Sequence, residues 1–128
     1  SPFIVDDYSI SLQTPIVFAG ETTTLQYHVE KSGTAVRTLA PYLGAAMHLA
    51  VVKNDLSEFV HTHGEVHQPG APVSKSGTGV HNHAPPPLAF GPDVEAHVTF
   101  PLPGIYTVFG EFLHEGRVVV SQFTIEVF

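Results

Sequence analysis

Cysteine is absent from the 128 residues. That absence excludes disulfides, cysteine-based zinc sites, thiol nucleophiles and iron–sulfur clusters together. It also excludes a blue-copper electron-transfer centre, which sets a thiolate beside its two histidines. Charge is scarce as well. Asp, Glu, Lys and Arg make up 13% of the chain, about half the usual quarter. The balance is acidic, with a formal charge of −7, which disfavours nucleic acid or an anionic membrane surface as partner. No apolar run is long enough to span a bilayer. No secretory leader is evident either, because Ser1-Pro2-Phe3 leads directly into strand-like patterning, as in a mature or trimmed form. Helical periodicity of useful length is missing throughout.

What is present is histidine. Nine of the residues are His against five Lys plus Arg, and seven of the nine lie between His48 and His97. The densest stretch is Phe59-Val60-His61-Thr62-His63-Gly64-Glu65-Val66-His67. In an extended strand side chains repeat every two residues, so His61 and His63 face the same side. Two converging imidazoles are the start of a Zn²⁺, Cu²⁺ or Ni²⁺ site, and further ligands must come from elsewhere.

The remaining pattern is that of short strands. Tyr8, Ile10 and Leu12 alternate with polar residues, and Thr23, Leu25, Tyr27 and Val29 do the same in a second strand, leaving His28 on a solvated face. Residues 37–43 read as a connection and residues 45–52 as a strand. The polar run 53–58 turns the chain back, so residues 59–63 return antiparallel to it. If residues 48 and 63 stand opposite, His48 joins the His61/His63 face; a slip of one residue puts it on the other. Met47 then points into the core as filler.

From Gly64 to Pro92 the periodicity fails over 29 residues holding six of the eleven prolines, five glycines and His67, His81 and His83. A loop of this length is usually functional or disordered. Strands resume at Val94–Phe100, Ile105–Leu113 and Val118–Phe128. Pro103-Gly104-Ile105-Tyr106 looks like the tyrosine corner of Ig-like sandwiches. The sum is seven to eight strands in one all-β domain spanning 1–128, an antiparallel β-sandwich of Ig-like or cupredoxin-like type interrupted by the His/Pro/Gly-rich insertion at 64–92.

Parity selects His48, His61, His63 and His97 as candidate metal ligands, and His67, just beyond the pair, joins them. His81 and His83 form a second His-x-His within the insertion, and His114, at a hairpin tip, is expected on the surface, where it could cap the site. Glu65, Glu95 and Asp93 are possible oxygen ligands or orienting partners. An imidazole cluster suits copper as Cu²⁺, with zinc as the other choice. No nucleophile elbow and no phosphate-binding loop are present.

The segments Pro41–Leu49 with Met47-His48, Asp55–Glu65 with the His-x-His-Gly-Glu run, Phe90-Gly91-Pro92 with His97, and Phe100–Phe112 with Pro103-Gly104-Ile105-Tyr106 resemble a bacterial family of small exported domains. Its members are often lipoproteins or periplasmic proteins encoded near copper- and heavy-metal-handling functions. The resemblance covers most of the chain from Gly20 onward. It implies a periplasmic or secreted location and His48, His61, His63 and His97 as ligands; another copper-handling protein is the expected partner. The expected function is copper buffering, sequestration or delivery. A copper/zinc superoxide dismutase-like oxidoreductase is the alternative, although the cysteine pair of that family is absent. A third reading is an Ig-like interaction module with incidental histidines. Oligomeric state is open.

Overall fold

The computed structural model describes residues 1–66 and 85–128. His67, His81 and His83 therefore lie outside the described residues. Ten strands are present among the described residues and no helix: β1 (Phe3–Val5), β2 (Tyr8–Gln13), β3 (Thr22–Lys31), β4 (Thr34–Ala35), β5 (Leu39–Ala40), β6 (Met47–Lys53), β7 (Phe59–Val66), β8 (Asp93–Thr99), β9 (Gly104–His114) and β10 (Arg117–Val127). The fold is all-β and every strand-to-strand ladder is antiparallel. Three strands exceed the seven marked by alternation. They are β1, β4 and β5, of two or three residues each, too short to show a period. β5 lies within the stretch read as connection and pairs Leu39 with His114 and Ala40 with Leu113.

The strand order is β1-β2-β3-β8-β7-β6-β9-β10. β8 pairs with β3 from Thr22↔Thr99 to His28↔Asp93, whereas it meets β7 only over Gly64↔Ala96, Glu65↔Glu95 and Val66↔Val94. That short ladder is the corner between a β1-β2-β3-β8 half and a β7-β6-β9-β10 half. At the other end the halves approach again, with the Phe3 and Phe123 rings 6.2 Å apart and a parallel bridge from Val17 to Val127. One apolar core fills the space between, and Leu25, Tyr27, Val29, Met47, Leu49, Val51, Val108 and Phe112 are almost wholly enclosed in it.

Two details bear on the site. Val66, Glu65 and Gly64 belong to β7, so the irregular segment begins later than loss of alternation suggests; the strand persists because β8 supplies partners for all three residues. At the far end of the core the Tyr106 hydroxyl donates to the Leu102 carbonyl at 2.7 Å and accepts the Leu102 N–H at 3.2 Å. This upstream anchoring matches the corner expected from Pro103-Gly104-Ile105-Tyr106.

Candidate metal centre

The hairpin β6–β7 sets the site. Its turn is built around Asp55, whose carboxylate accepts from Lys53 Nζ at 2.6 Å, from the Ser57 hydroxyl at 2.6 Å and from the Ser57 amide at 3.0 Å. The Lys53 ammonium, then the Ser57 donors, hold the Asp55 carboxyl well below the usual carboxylate range. With the turn so defined, the ladder pairs His48 with His63 and Ala50 with His61. Met47, Leu49 and Val51 are buried on the inner side, so His48 and Ala50 share the outer side with His61 and His63.

His48, His61 and His63 each offer a ring nitrogen, and the three nitrogens lie within 4.8 Å of one another. Ring centroids are 4.7 Å apart for His48–His63, 5.1 Å for His61–His63 and 5.8 Å for His48–His61. His48 and His61 are diagonal neighbours, a relation that ordinarily leaves residues about 7–8 Å apart. Ala50, directly opposite His61, has no side chain beyond Cβ and leaves room for that imidazole to lean across. His61 and His63 are exposed and His48 is half-buried, so the group is open to solvent on one side. Metal ions bound by three protein ligands keep such an open position.

His48 is oriented from behind. Its Nε2 lies 2.7 Å from the Tyr42 carbonyl oxygen. A carbonyl only accepts, so Nε2 carries the proton and Nδ1 is the nitrogen with a free lone pair. This carbonyl arrives through a large excursion of the chain. Ala40 stands opposite Leu113 and His48 opposite Glu111 on β9, so residues 41–47 are opposite Phe112 alone. The excursion closes in a tight turn, with Tyr42 and Ala45 exchanging both backbone hydrogen bonds at 2.8 and 3.1 Å. Its central residues Leu43 and Gly44 have φ of 49° and 81°, the left-handed pair required by a two-residue hairpin turn. No pattern of side-chain types announces a backbone carbonyl as an orienting group.

Other candidates go elsewhere. His97 is on the outer side of β8, but the β7–β8 ladder ends at Gly64↔Ala96, one step before His63 and His97 would pair. β8 follows β3 from that point, and the His97 ring turns to Thr24 Oγ1 at 3.1 Å and to Glu95 at 3.9 Å. It is not in the group of three. His114 is not a surface residue. The two-residue turn Glu115-Gly116 makes it the last residue of β9, and its parity with Phe112 sends it inward, 2% exposed. Its Nδ1 meets the Tyr8 hydroxyl at 2.6 Å and its Nε2 the Thr38 hydroxyl at 3.0 Å. A neutral imidazole has one donor and one acceptor, so one hydroxyl donates and the other accepts. It cannot cap the three histidines from that side of the sheet.

Among the carboxylates considered, Asp93 pairs with His28 at 2.8 Å, and Glu95 and Glu65 stand opposite each other on the corner ladder. None of them joins the group. Glu111, which alternation alone did not single out, is the cross-strand neighbour of His48 on β9.

Residues 4–128 match the model of a family described as "Domain of unknown function (DUF8832)", and the chain belongs to that family. Comparison with curated proteins gives no match. Among solved structures the chain is similar to the PmoD soluble domain from Methylocystis sp. ATCC 49242 (Rockwell), at 15% identity and a TM-score of 0.53, over 99% of this chain and 97% of that one. This likeness supports the all-β fold.

Proposed function

We propose that this member of the family is an exported metal-binding protein that holds Cu²⁺ on His48, His61 and His63 and serves in copper buffering, sequestration or delivery. The observation that carries the reading is the convergence of three ring nitrogens within 4.8 Å. Three neutral imidazoles without a thiolate suit Cu²⁺ and Zn²⁺, and raw affinity favours copper. The backbone bond from His48 to Tyr42 is the kind of support that fixes a ligand's tautomer and direction. The open outer side suits exchange of the ion with another copper-handling protein better than permanent structural use, for which a closed four-ligand shell is normal. The periplasmic or secreted location rests on the sequence resemblance.

The test is titration of metal-free protein with Cu²⁺ and Zn²⁺, with electron paramagnetic resonance on the copper form, for the wild type and for a His61→Ala/His63→Ala variant. One tight copper equivalent with nitrogen hyperfine structure, lost in the variant, is the expected result. Binding unaltered by the double substitution would reject it. Superoxide dismutation by the loaded wild type would replace the carrier reading with an oxidoreductase one.

A further inference from the structure

At the level of His48 the outer side of the β7-β6-β9-β10 half carries one cross-strand row: His63, His48, Glu111 and Val120. Glu111 alternates with the fully buried Gly110 and Phe112 and is itself half-buried on the outer side. Neighbours directly opposite in an antiparallel ladder have Cβ atoms about 4.5–5.5 Å apart. Glu111 thus flanks His48 on the side away from His63. Among the described residues no hydrogen bond or ion pair engages its carboxylate. That carboxylate is therefore placed to act on a cation held beside His48.

We propose that Glu111 is the specificity-determining carboxylate of this site and makes it select the divalent over the monovalent ion, so that copper is held as Cu²⁺ rather than Cu⁺. This inference rests on the reading of His48, His61 and His63 as ligands. Three neutral imidazoles leave the full charge of the ion uncompensated. The attraction of one carboxylate for a dication is twice that for a monocation at the same distance. A neutral imidazole attracts either ion through its dipole and lone pair but compensates none of the ion's charge.

The experiment compares affinities for Cu²⁺ and for Ag⁺, a redox-inert stand-in for Cu⁺, in the wild type, in Glu111→Gln, and in His61→Ala/His63→Ala. Glu111→Gln keeps the shape of the side chain and is expected to weaken Cu²⁺ about tenfold, the low end for loss of a supporting group around a metal. The Ag⁺ loss should be about threefold or less, following the halved Coulomb attraction. A second variant, Val120→Lys, places a permanent cation on the other side of Glu111 at a position 43% exposed, and should lower Cu²⁺ affinity while leaving Glu111 in place. Equal losses for the two ions, or Cu²⁺ affinity unchanged in both variants, would overturn the proposal. Wild-type protein that binds neither ion overturns the reading of the three histidines, and this inference with it. Binding that needs His61 and His63 but ignores Glu111 and Val120 overturns this inference alone.

Discussion

The Tyr42 carbonyl accepts a 2.7 Å hydrogen bond from Nε2 of His48, and this contact decides which nitrogen of that ring carries the proton. The apo protein should therefore hold His48 as the Nε2–H tautomer. Nitrogen-15 chemical shifts in metal-free protein test this directly, and zinc loading should then move the Nδ1 resonance. An Nδ1–H tautomer in the apo protein would contradict the assignment.

Acidification should empty the site. Protons compete with the metal for the same ring nitrogens, and an unperturbed imidazole takes up its proton near about pH 6.5. Cu²⁺ affinity should fall by more than about a hundredfold between pH 7 and about pH 5. A ligand at a hundred times its dissociation constant stabilises the fold by about 2.7 kcal/mol. The rise in melting temperature on adding Cu²⁺ should thus be present at neutral pH and absent at the acidic end. Affinity that is flat across this range would argue against imidazole ligation.

Gly64→Ala should destabilise the corner beside the site. A Cβ at this position would lie 2.7 Å from Cγ1 of Val94 and 2.9 Å from Cβ of Met47, and both neighbours sit in the core. Overpacking of this kind costs about 1–3 kcal/mol. The midpoint of urea unfolding should drop accordingly, and a midpoint equal to that of the wild type would show that the corner yields more readily than its packing suggests.

His114→Ala separates stability from metal binding. The substitution opens a cavity and leaves the buried Tyr8 hydroxyl without its 2.6 Å partner, for a loss of about 2–4 kcal/mol. Because His114 faces the core and the three histidines face outward, Cu²⁺ affinity measured well below the unfolding temperature should be unchanged. A several-fold loss of affinity would restore the expectation that this residue completes the site.

Two buried tyrosines should respond oppositely to loss of their hydroxyls. The Tyr27 hydroxyl has no hydrogen-bond partner among the described residues, and burial pushes its ionisation well above the ordinary tyrosine range. Tyr27→Phe should be neutral or stabilising, since it removes a desolvated polar group that makes no bond. Tyr106→Phe loses the 2.7 Å bond to Leu102 and should cost about 1 kcal/mol. Chemical denaturation of the two variants side by side gives the comparison.

Much of this arrangement was already legible in the order of residues. Strand period two is enough to set His61 and His63 on one side of β7 and to put Met47 on the side opposite His48. The polar run 53–58 announces the reversal that brings His48 back to His63. These are local relations, carried by alternation and by a short turn whose Asp55 satisfies its own neighbours. The strands that alternation cannot register are those of two or three residues, whose existence depends on a partner being available.

Tertiary structure decided the rest, because it concerns partners distant in the chain. His97 has the right parity, yet β8 leaves β7 after Ala96 to follow β3, and no residue near His97 encodes that divergence. His114 has the appearance of a turn residue, but a two-residue turn makes it part of β9 and its parity buries it between Tyr8 and Thr38. The Tyr42 carbonyl reaches His48 only because residues 41–46 leave the sheet opposite Phe112. Glu111 meets His48 only through the pairing of β6 with β9, strands separated by the whole of β7 and β8. Sequence by itself determined which side chains share a strand face, since that follows from backbone geometry within one segment; the fold alone determined which faces meet, since that depends on how the segments bury their apolar sides together.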